Sequence, residues 1–581
     1  MKPLRRTALR CDGMRFRKTA TRLFLGLGMT LLISGSARPV PAQDDAPTTR
    51  TDGLSEDERI LHVLSRFTLG ATPELVDEVR RKGIDRWLKE QFTGQLPESE
   101  SYRKYTSGLK TLKMSREEIA AEYHVRPKGK PTPEEQKQLQ RHSRIPMMEM
   151  MSWIFLRAVY GNNHLREVSS DFFRNHFSVS TEKGAVKALV VDWEREIIYG
   201  QALGNFGDML EATAKHPAML HYLDNELSRK PATAAELKKL AMRVRRRTGS
   251  KERAEEQVDI ASQRGLNENY ARELLELHTL GVDNYYRQAD VLNLAKILTG
   301  WSTKKNRPRT GKAPETGFNF YDHLHCDGDK PFLGGVIREN RRNPIAEGEK
   351  ALEILKTHEG TAHYLSWKLC RYFVNDDPDR EMVGRVAGVF SKTGGDLPKV
   401  FGAIVNDPGF FSRKNYRAKF KRPTEFVVSA LRVTKAEVAG SSDVGRIRGR
   451  GATIASHLSS MNEQLYRCAD PTGYYDQAEA WRDPGALAIR WNFASDLVAG
   501  EISGFRIPSS FYKGLPENDR KAWKDILVKK ILPVTGVSRV VSKKMDEVIM
   551  PYLEQKSRIS GIRLRRAIVA MLLGSPEFQK Q

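Results

Sequence analysis

Asn267-Glu268-Asn269-Tyr270-Ala271-Arg272-Glu273-Leu274-Leu275-Glu276-Leu277-His278-Thr279-Leu280-Gly281 is the stretch that decides the fold class. It follows Gly265 and ends at a glycine, which predicts a capped helix of about three to four turns. At about 100° per residue, Asn269, Arg272, Glu273 and Glu276 share one face. Leu274, Leu275 and His278 fall on the opposite face, with Leu277 between. Arg272 and Glu276 stand at i,i+4 and are spaced to pair. The same period recurs outward from this block. Ile60, Val63, Leu64 and Phe67 return every third or fourth residue. Thr72-Pro73-Glu74 then supplies an N-cap, a first-turn proline and a first-turn acid. That helix runs to Lys82 and stops at Gly83, and another follows through Trp87, Leu88 and Phe92. Strand-like alternation is scarce. The expected fold is mainly α: a large multi-helix single globular unit with irregular loops and little or no sheet.

The chain has 581 residues, enough for a large core. Hydrophobic residues are 39% and charged residues 29%, which excludes a disordered chain, a collagen and a polytopic membrane protein. Residues 1–22 hold eight basic side chains and one acid, residues 23–33 are mostly apolar, and Val40-Pro41-Ala42 precedes Gln43. This is the pattern of a secretory signal peptide over residues 1–42. Its apolar stretch is short for a membrane crossing, so no span is expected after cleavage. Residues 43–57 read as a flexible linker and residues 58–581 as the helical domain. Two charged excursions interrupt that domain, at residues 124–145 and 229–264. The expected location is periplasmic or extracellular.

Lysine plus arginine number 96 and aspartate plus glutamate 72, a formal net charge of +24. The leader carries nine basic residues and one acid, so its removal leaves about +16. A basic exported protein meets anionic envelope polymers, acidic polysaccharide or lipid headgroups rather than nucleic acid, for which no recognition module is present. Cys326, Cys370 and Cys468 remain in the mature chain. Their odd number allows one bridge and one thiol, and their spacing matches no paired C-x-x-C metal site.

Three constellations bear chemistry. The polar face around Arg272, Glu273 and Glu276 offers two carboxylates for acid–base work with an arginine as anion clamp, flanked by Asn267 and Asn269 as binding groups. The competing reading is a buried ion-pair network, in which Glu273→Gln and Glu276→Gln both lower stability. Second, Phe318-Asn319-Phe320-Tyr321-Asp322-His323-Leu324-His325-Cys326-Asp327-Gly328-Asp329-Lys330 puts His323 and His325 on one face if extended. With further ligands they would hold a transition metal, and Lys330 would add a binding cation. Third, Val168, Phe172 and His176 share a helix face, which makes His176 a core histidine with a binding role as the alternative. There is no G-x-S-x-G elbow, no P-loop and no H-E-x-x-H.

These blocks resemble the bacterial family of exported proteins called domain of unknown function 1800. The likeness rests on His62-x-x-x-Arg66-Phe67-x-x-Gly70-Ala71-Thr72-Pro73, on Phe173-Arg174-Asn175-His176-Phe177, and on residues 267–281 with Leu298-Thr299-Gly300-Trp301. It continues through His325-x-x-Gly328-x-Lys330, Lys368-Leu369, Lys419-x-Lys421-x-Pro423, Pro471-x-Gly473-Tyr474 and Ser575-Pro576-x-Phe578. The resemblance implies export, a helical unit, no established activity, and a sulfatase- or phosphatase-like exported protein encoded nearby as partner. Cys326 departs from the aspartate the family often has there.

Two functions follow as expectations. One is an exported accessory or binding component of an envelope or extracellular-polymer system, in contact with an anionic polymer. The other is a hydrolase or lyase on such a polymer, with a transition-metal cofactor as an option. The enzyme requires the polar face of residues 269–276, His176 and His325 to meet in one open cleft. The accessory protein is expected if that face is buried and fully paired.

Overall fold

The Thr72 hydroxyl accepts from the Leu75 amide, Pro73 opens the helix, and Gly83 closes it at φ +81°. Pro73–Lys82 thus forms with the bounds its sequence predicts, and Ile84–Thr93 follows, burying Trp87 and Leu88. The computed structural model describes residues 53–124, 129–262, 265–303, 317–438, 453–554 and 558–581. The signal-peptide expectation and most of the linker lie outside the described residues. Ser55 and Glu58 close a capping box at the start of helix Glu56–Phe67.

Helices dominate the described residues. Strands there are confined to three two-stranded antiparallel ribbons, each strand two or three residues long. They pair Trp301–Thr303 with Phe318–Phe320, Lys330–Phe332 with Gly335–Ile337, and Glu437–Val438 with Phe505–Arg506. The architecture is the mainly α one expected. One large hydrophobic cluster runs through it from Ile60 to Phe578. The C-terminal residues close onto the segment before helix Pro423–Val433: the Lys421 amide donates to Gln579 O at 2.8 Å and the Gln581 amide to Lys419 O at 3.0 Å.

Residues 229–264 contain a helical hairpin, Ala234–Thr248 and Lys251–Ser262, turning at Gly249 in the left-handed region. Its neck is held by Arg229 N to Gly265 O at 3.2 Å and Lys230 N to Leu324 O at 2.8 Å. The other excursion contains Pro133–His142, which buries no residue. No helix among the described residues is long and apolar enough to cross a membrane.

Candidate functional site

Asn267 begins the decisive helix and ties it down. Its side chain accepts from the Tyr270 amide and donates to Leu223 O at 2.6 Å, while its own amide donates to Ser228 Oγ at 3.1 Å. The helix is Glu268–Glu276, nine residues, shorter than the stretch quoted above. Beyond it the chain turns back, with the Leu280 amide donating to Leu275 O at 2.7 Å. Gly281, at φ +85°, lets the backbone pass Tyr364, whose ring lies 2.9 Å from where a Cβ would stand. Tyr270, Ala271, Leu274 and Leu275 are buried, so the apolar face is the one expected.

The polar face is neither fully buried nor fully paired. Asn269 is exposed. Arg272 pairs with Glu276 at 3.2 Å and donates to Gln288 at 2.7 Å, and the Tyr286 hydroxyl donates to Glu276 at 2.7 Å. The Glu273 carboxyl makes no hydrogen bond or ion pair with the described residues. Burial, then the negative charges of Glu276 and Asp470, push its carboxyl up to about 7, against the pull of Arg272. A half-buried carboxyl at that value can exchange a proton near neutral pH.

The buried ion-pair network lies on other elements. Glu194 sits in a π-helical segment, Trp193–Ile198, whose wide turn places it between two arginines. Arg157 donates to it at 2.7 Å and Arg174 at 2.8 and 3.0 Å, and the Tyr466 hydroxyl donates to it as well. Arg157 also binds Glu167 at 2.7 Å. Arg174 reaches Asp171 at 3.2 Å, and Arg422 bridges Asp171 to Glu463, the latter at 2.9 Å. Each of the four carboxylates accepts on both oxygens. Burial works against the charged form of Glu194, but Arg174 and Arg157 outweigh it and hold the carboxyl below the usual range. A small pocket of about 30 Å³ lies over this network, lined also by Asn175, Gln464, Cys468 and Tyr474. Its floor is committed to ion pairing, which suits support rather than proton transfer.

His176 ends helix His164–His176, packed against Phe172, Phe177 and Phe206 and 1% exposed. Its Nε2 meets His278 O at 3.3 Å and its Nδ1 meets Lys368 Nζ at 3.1 Å. The consistent assignment is a neutral ring, Nε2 donating and Nδ1 accepting. Burial, with Lys368 and His278 alongside, holds His176 well below its ordinary value. Burial likewise takes His278 down to about 3 and Lys368 down to about 8. Next to His176, Asn175 clamps the loop of residues 468–481 through the Tyr474 amide and carbonyl, at 2.7 and 2.8 Å.

His323 and His325 do not share a face. The segment closes a 3-10 turn, Asp322–Leu324, instead of extending; His323 is exposed and His325 buried. The His325 ring is spent on Thr299 O at 2.9 Å and Glu347 at 3.0 Å. Lys330 is buried beside it, donating to Glu347 at 2.5 Å and to Cys326 O at 2.7 Å. Burial raises the Glu347 carboxyl, but the hydrogen bonds from Lys330, Asn340 and His325 outweigh it and leave it below the usual range. No three histidine, cysteine, aspartate or glutamate side chains among the described residues converge as a metal site would need. Cys326, Cys370 and Cys468 are all free thiols.

The polar face of Glu268–Glu276, His176 and His325 therefore do not line one cleft. What comes together instead is Glu273, the Asp470 loop, His278 with His176, and Lys368 with Arg371 and Asp476 beyond it. The site reading of the sequence missed Lys368, Arg371 and Asp476. The available signal was the i, i+3, i+4, i+7 stripe of Tyr364, Trp367, Lys368 and Arg371.

This arrangement defines a helical protein built around a buried arginine–carboxylate network, with a few unpaired polar groups at its edge. The chain belongs to the DUF1800 family, described as proteins of unknown function, whose model matches residues 62–580. No curated protein and no solved structure matches the chain.

Proposed function

We propose that the chain is an exported accessory or binding component that engages an anionic polymer of the envelope or its surroundings. It would act beside a sulfatase- or phosphatase-like exported partner. The observation that carries the reading is the hairpin helix Ala234–Thr248. Its Lys238, Lys239, Arg243, Arg245, Arg246 and Arg247 are exposed and make no ion pair with the described residues. Six such cations on a projecting helix attract a polyanion at a strength that falls with salt. The test replaces all six by glutamine and measures retention on immobilised polygalacturonate between about 50 and 500 mM NaCl, over which the screening length falls from roughly 14 Å to roughly 4 Å. The parent should elute at clearly higher salt, with melting temperature unchanged by the replacement. Equal elution of the two proteins overturns the reading.

A second reading, a hydrolase or lyase on the same polymer, is favoured by the unpaired Glu273 carboxyl at about 7, with Arg272 as anion clamp. It requires that the chain release new reducing ends or unsaturated products from the polymer, and that Glu273→Gln abolish the release without lowering the melting temperature.

A further inference from the structure

Helix Glu359–Phe373 presents Tyr364, Trp367, Lys368 and Arg371 along one part-exposed stripe. The Tyr364 and Trp367 rings stack at 6.0 Å, the Arg371 guanidinium lies 3.8 Å from the Trp367 ring centre, and Lys368 Nζ lies 5.7 Å from that of Tyr364. The stripe is rich in donors with little to donate to. The Arg371 guanidinium makes no hydrogen bond or ion pair with the described residues, and its Nε is buried without a partner. The Tyr364 hydroxyl and the Trp367 indole N–H likewise bond to nothing described. Lys368 donates only to His176. Burial lowers both cations, Lys368 and Arg371, by more than the nearby aspartates, chiefly Asp476, raise them.

The loop of residues 468–481 brings a carboxylate near the stripe. Asp476 is near enough for its charge to be felt by both cations, yet its Oδ1 is buried with no hydrogen-bond partner. Tyr475 beside it is 69% exposed. Asp376 and Asp377 also act on Arg371, but Asp376 is committed to Lys419 and the Ala478 amide, and the guanidinium edge is left without a bonded oxygen among the aromatic rings. An anion offering two oxygens would complete it: a guanidinium fork matches such a pair, and an unpaired hydroxyl, indole and carboxylate suit the hydroxyl groups around a sugar ring.

We propose that this stripe, with Asp476 and Tyr475, is a subsite for one acidic sugar residue, carrying a carboxylate or a sulfate. It deepens, and rests on, the reading of the chain as a binder of anionic polymer, while using residues remote in sequence from the basic hairpin.

The experiment is calorimetric titration of the purified full chain with trigalacturonate, with a carrageenan oligosaccharide whose only acidic groups are sulfates, and with neutral maltotriose. Expected is binding of at least one acidic probe, weakened about tenfold or more by Arg371→Gln at unchanged melting temperature, as loss of a charge-assisted pair requires. Which acidic probe binds separates carboxylate from sulfate. Lys368→Gln replaces Arg371→Gln if the latter lowers the melting temperature. Three results overturn the proposal: neither acidic probe binds, maltotriose binds as well, or both variants bind like the parent. Trisaccharide binding lost in Arg371→Gln but kept in the six-glutamine hairpin variant, together with unaltered polymer retention of that variant, retains the subsite and discards the hairpin reading. Polymer retention that depends on the hairpin, with no binding of short probes, does the reverse.

Discussion

Replacing Glu273 by glutamine should make the protein more stable at neutral and higher pH, and leave it unchanged in acid. The carboxyl lies at about 7 in the fold against an ordinary 4.5. At about 1.4 kcal/mol per unit, the whole shift corresponds to about 3 kcal/mol. The group is only half-buried and water screens it, so about 1–2 kcal/mol is the expected effect. The sign follows from proton linkage. Between pH 4.5 and 7 the folded state holds the Glu273 proton more tightly than the unfolded state. The contribution of Glu273 to stability is therefore complete below the lower value and is lost as pH rises through the upper one. Glutamine does not titrate. The variant should match the parent near pH 4 and exceed it by about 1–2 kcal/mol at pH 8. Urea midpoints followed by tryptophan fluorescence at pH 4, 6 and 8, with the slope unchanged, measure this. A variant less stable than the parent by the same amount at every pH would refute the reasoning, because it would make Glu273 a paired member of a network. The expected gain in stability is the opposite of what the ion-pair reading of the sequence expects for Glu273. For Glu276, which accepts from Arg272 and Tyr286, that expectation stands.

Glu194→Ala leaves Arg157 and Arg174 buried without their shared acceptor, and should cost about 3–5 kcal/mol in the same unfolding assay. Gly473→Ala forces a Cβ to 2.5 Å from the Asn175 carbonyl at φ +78°, so the melting temperature should fall by the equivalent of about 1–3 kcal/mol, with loss of acidic-trisaccharide binding as the loop lifts. Lys368→Met removes an ammonium that burial holds at about 8 rather than 10.5. Since the unfolded state binds the extra proton between those values, the parent gains stability as pH rises across them. The variant's advantage, about 2 kcal/mol at pH 7 once the hydrogen bond to His176 is discounted, should shrink by pH 10.

Local chemistry was legible in the sequence wherever neighbours in the chain determine it. Thr72-Pro73 and Gly83 bound a helix through backbone hydrogen bonds that those residues alone cap. The apolar side of Glu268–Glu276 follows from a period of 3.6, and the pairing of Arg272 with Glu276 follows from one helical turn. The placement of charge was not legible, because it depends on partners far away along the chain. Glu194 is set between Arg157 and Arg174 by a π-helical turn that no spacing rule announces. Asp171 meets Arg422 across 251 residues. His325 turned inward because a 3-10 turn, not a strand, precedes it, and Lys330 and Glu347 were there to receive it. Arg371 looks like an ordinary surface charge in the sequence, and Glu273 like one of two equivalent carboxylates on a polar helix face. Only the packing of the 468–481 loop and helix Glu359–Phe373 decides that neither side chain makes an ion pair with the described residues. Periodicity reports which face of a helix is apolar; solvation and pairing of the other face are properties of the assembled core.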